Sequence, residues 1–307
     1  MTELLSDGLP KILPPSENGV FKAVLTLPEA HIALVGAVAA FLDRQVKSVY
    51  LRNNDAPARD TSAKQEEYDV NCVVDEEEGD QCDVEMQASP MEGDNSANDH
   101  RNIKWRSVFN LCDLHSDQPG RGRRYGSLVR SYQVMLCNYR VFVGGNKLVE
   151  RFTMRNPEGM ELCDAVMAIF IDLTQAKEIV KKPIDEMTDI EMWVVFFALA
   201  NKPEYSDTLT AITNAVEGIA VANETLQHIS QSPEERAHFR SRRIWQRDRE
   251  HEQAVWKDEG RDEMRAVYEP IIVDKNAELA DKNAELADKD AKIAELNAKL
   301  DALQGTR

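Results

Sequence analysis

Cysteine is scarce in this chain and badly spaced for any framework. Cys72, Cys82, Cys112, Cys137 and Cys163 are five among 307 residues, and no two form a CxxC pair. Neither a disulfide scaffold nor a zinc knuckle is expected, and a reducing, cytoplasmic setting is the simplest home. Long hydrophobic runs are missing too. The longest, Ala30 to Leu42, is too short to span a bilayer and already contains His31, so no membrane partner is expected. The opening Met1-Thr-Glu-Leu-Leu has neither the basic start nor the apolar core of a signal peptide. No Walker loop, GxGxxG or GxSxG occurs, which leaves nucleotide-fuelled and acyl-transfer chemistry without support. The six histidines are scattered without metal-ligand spacing.

What is present suits a globular chain: 42% apolar residues and 30% charged ones, with length for one large domain or two modest ones. The net charge of −17 argues against nucleic acid, but it hides an asymmetry. Residues 60 to 99 carry fourteen acids against Lys64 alone, a net −13. Residues 101 to 155 carry eleven Arg or Lys against Asp113, Asp117 and Glu150, a net +8. A solvated acidic loop beside an ordinary basic surface would explain this, and so would a metal site beside a phosphate-binding surface.

Residues 1 to 17 read as a loose lead-in, broken by Gly8, Pro10, Pro14 and Pro15. Pro28-Glu29-Ala30 reads as a helix start, with Leu34, Val38, Phe41 and Leu42 as its stripe to about Arg44. Val46 to Leu51 is β-rich. Tyr68 to Val74 and Cys82 to Gln87 alternate as short strands across the acidic turn Asp75-Glu-Glu-Glu-Gly79-Asp80. Arg123 to Tyr139 has helical spacing through Leu128, Tyr132, Met135 and Leu136, and Val166 to Leu173 reads as a strand buried on both faces. Thr188 or Asp189 caps a helix through Leu199, with Trp193 and Phe196-Phe197 as core. Thr208 to Ser230 reads as another helix, and Ser232-Pro233-Glu234-Glu235 starts an Arg-rich one running as far as Pro270. From Asn276 a period of seven sets Leu279, Leu286, Ile293 and Leu300 at d but Asn276, Asn283, Asp290 and Asn297 at a. Four polar a positions predict a weakly self-associating helical tail, not a strong zipper.

The chemistry concentrates in Asp69 on one strand and Glu85-Met86-Gln87 on the next. If these strands pair as a hairpin, both carboxylates lie at one end of a sheet, within reach of a shared hard cation. Mg²⁺ needs only one or two acids plus waters and phosphate. Such an ion activates water and stabilises charge on a phosphodiester. Desolvated acids this close repel, so replacing either is expected to spare the metal-free fold. Two solvated strand acids would give the same pattern.

A set of ordered motifs narrows the choice: Asn18-Gly-Val-Phe21-Lys22-Ala-Val-Leu, Asn54-Asp55, Lys64, Tyr68-Asp69-Val70 and Val84-Glu85-Met86-Gln87. Beyond these come Arg124-Tyr125, Gln133, Tyr139, Ile171-Asp172-Leu173 and Met187-Thr-Asp-Ile-Glu191-Met-Trp193. From about 18 to 260 the chain resembles the PD-(D/E)XK nuclease family transposases. That resemblance implies an α/β fold with a restriction-endonuclease-like core, Mg²⁺- or Mn²⁺-dependent DNA cleavage, and a link to recombination or mobile elements. It implies Asp69 and Glu85 as metal ligands, with Gln87 where the superfamily has Lys. Gln orients water but supplies no charge, so more falls on the metal. Asn18 stands where many members have Asp, with Glu17 and Glu29 nearby. Lys22 is a further catalytic candidate. Arg121, Arg123 and Arg124, with Tyr125 and Gln133, are candidate DNA contacts, the arginines forming a compact basic loop.

The expected organisation is a nuclease-like core over 18–202, a helical region over 203–273 and a heptad-repeat tail over 274–307. The tail gives a route to a homo-oligomer. The competing class is an inactive, helix-rich protein that binds nucleic acid or oligomerises, and divalent-ion binding separates the two.

Overall fold

In a computed structural model the described residues are 5, 8–52, 69–75, 79–89, 100–118, 124–142, 144–145 and 147–304. Helix α1 (Asn18–Thr26) and helix α2 (His31–Leu42), joined by a 3-10 turn at Pro28–Ala30, precede strand β1 (Val49–Leu51). Strands β2 (Val70–Val74) and β3 (Asp80–Gln87) then form the expected hairpin, pairing antiparallel with Val70 opposite Val84 and Cys72 opposite Cys82. Arg44 clamps its turn, pairing with Asp75 at 2.6 Å and Asp80 at 3.0 Å. Part of the acidic block is therefore structural.

The next segment overturns an expectation. The described residues from 124 to 139 are not a helix. They hold a 3-10 turn (Tyr125–Ser127) and then strand β4 (Ser131–Cys137), parallel to β3. The helix lies earlier, as α3 (Arg101–Ser116), because parallel neighbours need a crossover between them. Every residue of β4 is buried, so its apolar positions fall on both faces and imitate a helical stripe. Strands β5 (Val149–Arg155) and β6 (Glu161–Asp172) complete a six-stranded sheet in the order β1-β2-β3-β4-β6-β5.

Helix α4 (Ala176–Ile179) leads to helix α5 (Asp189–Leu199), opened by a reciprocal cap. Thr188 Oγ1 accepts from the Glu191 N–H while Glu191 Oε2 accepts from the Thr188 N–H at 3.0 Å. Extended backbone at Val216 splits the expected single helix into α6 (Ser206–Ala215) and α7 (Glu217–Gln231). Gly218 lets α7 come close to α2, for a methyl there would sit 3.3 Å from the Ile32 carbonyl oxygen.

One face of the sheet packs on α1, α2, α5 and α7, with Phe21, Phe41, Trp193, Phe196 and Phe197 wholly buried among Val84, Met86, Val134 and Ile169. The lead-in is held from Leu9 onward: Leu9 and Leu13 are buried, and the Leu13 N–H donates to Ser230 Oγ at 3.0 Å. Helix α3 covers the other face, where Ile103 and Leu111 meet Met135, Cys137 and Phe170. Among the described residues no single helix is long and apolar enough to cross a membrane, and the apolar α1–α2 pair is bent by 73° inside the core.

Helix α8 (Pro233–Gln304) starts at Ser232 as expected but continues through Pro270. Residues 1–240 form one compact unit and 241–307 another. Leu279, Leu286 and Ile293, the described d positions of the heptad seam, are more than half exposed. Deleting residues 276–307 should therefore leave the cooperative melting transition of the first unit within about 2 °C, because the described side chains of that stretch are exposed. Calorimetry on the truncated chain checks this, and a broadened or missing transition would show that the tail is integral to the fold. Sedimentation of both forms reads any change in self-association.

Candidate active site

Strand β3 has two unlike faces. Cys82, Val84 and Met86 point to the large core, while Asp83, Glu85 and Gln87 point toward α3. The β2–β3 register, continued one residue, sets Asp69 opposite Glu85. A direct bond fixes it there: the Met86 N–H donates to Asp69 Oδ2 at 2.9 Å.

Glu85 is 1% exposed and held from three sides. Asn110 Nδ2 donates to Oε1 at 2.7 Å, Gln87 Nε2 donates to Oε2 at 3.2 Å, and the Arg106 guanidinium pairs with Oε2 at 2.9 Å. Arg106 and Asn110 are four residues apart on α3, so one helix face delivers both. Asp83 is fully buried beside them, with Oδ2 accepting from Gln133 Nε2 at 2.7 Å and Oδ1 accepting no hydrogen bond among the described residues.

The electrostatics follow from this crowding. Loss of water drives the Asp69 carboxyl from 3.8 up to about 7, and repulsion by Glu85 adds to it. The Met86 N–H, Arg106 and Lys22 pull the other way. Burial pushes Asp83 well above the ordinary carboxylate range, with Glu85 and Asp69 adding and the Gln133 bond opposing. At neutral pH the cluster thus carries more carboxyls than it can comfortably ionise. A divalent cation relieves that condition.

The donors present fit a hard ion. Asp69 is half-buried at the open end of the strand and Glu85 is beside it. Among the described residues no group of three or more Asp, Glu, His or Cys side chains forms a closed metal cage. Two carboxylates with waters and a substrate phosphate are what Mg²⁺ asks for.

The other sequence candidates fall as follows. Lys22 lies on α1 and its charge reaches Asp69. Arg124 and Tyr125 are exposed ahead of β4, Tyr125 by 88%. Gln133, expected among the DNA contacts on a helix, is instead a wholly buried β4 residue bonded to Asp83, so it braces the carboxylate row and not the surface. Asn54, Asp55, Lys64, Tyr68, Arg121 and Arg123 lie outside the described residues. Asp83, Arg106 and Asn110 were not singled out from the sequence. The Asp-x-Glu-x-Gln alternation was the available signal for the first. The 3.6 period of Ile103, Ser107, Asn110 and Leu114 was the signal for the other two.

A hairpin feeding a helical crossover to a parallel strand, with paired acids where the hairpin meets the helix, defines a restriction-endonuclease-like α/β fold. The chain belongs to the PD-(D/E)XK nuclease family transposases, whose family model matches residues 15–254. No curated protein and no solved structure matches it. Membership carries a nuclease-like function in mobile elements, with DNA as the implied substrate and divalent metal as the family's general cofactor.

Proposed function

We propose that the protein is a Mg²⁺-dependent DNA endonuclease, with Mn²⁺ as an alternative ion, acting in recombination or transposition. The observation that carries this reading is the facing pair Asp69–Glu85, crowded enough to hold one carboxyl near 7. Asp69 and Glu85 would hold the ion, which when bound supplies an activated water and charge stabilisation at the phosphodiester.

The chain's own residues prepare that event. Asn110 and Gln87 fix both oxygens of Glu85, so its carboxylate is oriented before substrate arrives. The Met86 N–H orients Asp69 in the same way. The second N–H of the Gln87 amide and its oxygen are left to align the attacking water. Lys22 adds positive charge from the α1 side. Arg121, Arg123 and Arg124, with exposed Tyr125, contribute sequence-independent phosphate and sugar contacts. Self-association through the heptad tail would pair two such chains.

Supercoiled plasmid incubated with and without Mg²⁺ tests the proposal. Nicked or linear product only with the ion is the expected result. Intact plasmid with Mg²⁺ and with Mn²⁺, together with no ion binding by calorimetry, would favour the non-catalytic interaction protein.

A further inference from the structure

The superfamily's Lys is Gln87 here, and that side chain is engaged with Glu85. The positive charge that touches the acid pair comes from another element. Arg106, on α3, sets its guanidinium 2.9 Å from Glu85 Oε2, and its charge pulls on Asp69 more strongly than that of Lys22. The two partners differ in exposure: the Glu85 side chain is 1% accessible and that of Arg106 36%. Glu85 already has a neutral donor on each oxygen, from Asn110 and Gln87, so it does not need an arginine to be satisfied.

We propose that Arg106 supplies the fixed positive charge of this active site, gripping the scissile phosphate of DNA with the guanidinium donors that Glu85 does not use. A guanidinium has five donors in a rigid fork, stays charged at any working pH and matches phosphate geometry. Glu85 takes one guanidinium nitrogen and the Arg106 side chain stays 36% accessible, so its other donors are left for a substrate phosphate that comes to the acid pair. The placement also explains why a basic segment follows directly after the acidic one. The acidic row of β3 is covered by a helix whose inner face carries a cation and an amide, and the cation stays open to the surface.

This rests on the nuclease reading, so the test keeps the two apart. Arg106→Gln, Arg106→Lys and the double variant Arg106→Gln/Gln87→Lys are compared with wild type. Affinity for a duplex oligonucleotide in EDTA across a salt series should lose about 0.9 from its log–log slope in Arg106→Gln, the share of one phosphate contact. Calorimetric titration with Mg²⁺ should show binding retained or tightened in that variant, since a competing cation has left Glu85. Plasmid cleavage should fall in kcat by about 10²–10³-fold. Arg106→Lys should recover part of that loss, and the Lys at 87 at least about tenfold of it, by returning the charge from a neighbouring position. Unchanged slope and kcat in Arg106→Gln overturn the inference while wild-type cleavage keeps the nuclease reading. Lost Mg²⁺ binding with no rescue by Gln87→Lys also overturns it, leaving Arg106 a structural partner. If wild type cleaves nothing, the nuclease reading fails, and the salt slope alone then decides whether Arg106 holds phosphate.

Discussion

Asp69→Ala and Glu85→Ala should each lower Mg²⁺-dependent plasmid cleavage by at least about 10³-fold, equivalent to roughly 4 kcal/mol of barrier. The size follows from what is lost: a bound cation contributes several kcal/mol of charge stabilisation, and with one carboxylate it is neither held nor aimed. The two variants should differ in the metal-free fold. Asp69 is half-buried and electrostatically crowded, so removing it relieves repulsion while stranding the Met86 N–H. Glu85 accepts from Asn110, Gln87 and Arg106, and Ala would leave those donors facing a small void. Each stranded buried donor costs about 1–3 kcal/mol. The structure therefore divides the expectation that either acid can be replaced without harm. Glu85→Gln is the cleaner probe, as it keeps the volume while removing the charge. Plasmid cleavage with parallel calorimetric melting checks both halves, and wild-type cleavage by either Ala variant would remove the pair from the active site.

In EDTA, wild type should lose stability relative to Asp69→Asn as pH rises from about 4 to about 7, then run parallel to it. The sign is fixed by linkage. Asp69 titrates near 3.8 unfolded and near 7 folded, so between those values the folded state binds more protons. Stability is thus fully present below about 4 and declines through the folded value. At about 1.4 kcal/mol per pH unit over about 3 units, the difference is on the order of 4 kcal/mol. Asn keeps an oxygen for the Met86 N–H and does not titrate, so subtracting the two curves removes the opposing contributions of other carboxyls. One of these is Asp75, which Lys47 and Arg44 hold below the ordinary range. Urea unfolding at intervals from pH 4 to 8 measures the difference. A flat difference curve would mean that Asp69 ionises freely in the folded protein and that the acid pair is not strained.

The legible parts of this fold are those whose pattern has a local cause. The hairpin β2–β3 announces itself by period two, α5 by Thr188 and Glu191 reaching for each other, and α8 by Ser232. The family motifs around Asp69 and Glu85 single out the acid pair before any contact is known. The order of the middle segment was not legible. Strand β4 is buried on both faces, so its apolar residues show no alternation. Helix α3 has no clean hydrophobic stripe: Trp105, Val108 and Phe109 are exposed, while Ser107 and Asn110 are buried alongside Ile103, Leu111 and Leu114. A hydrophobic stripe tells which side of a helix faces the core only when that core is apolar. Here α3 covers a row of carboxylates as well as an apolar patch, and the part of its inner face over the carboxylates is polar and basic, which satisfies them.

The amino-acid sequence by itself thus determined the hairpin, the capped helices, the heptad tail and the family, because each rests on neighbours within a few turns or on an ordered set of motifs. Only the tertiary structure decided that Arg106 and Asn110 serve Glu85, that Gln133 serves Asp83, and that Asp69 is held near 7. Those facts depend on the polar face of β3 meeting its neighbouring strands and the inner face of α3 in a space from which water is excluded. Desolvation of that kind belongs to the packed sheet and its crossover, and no segment read alone contains it.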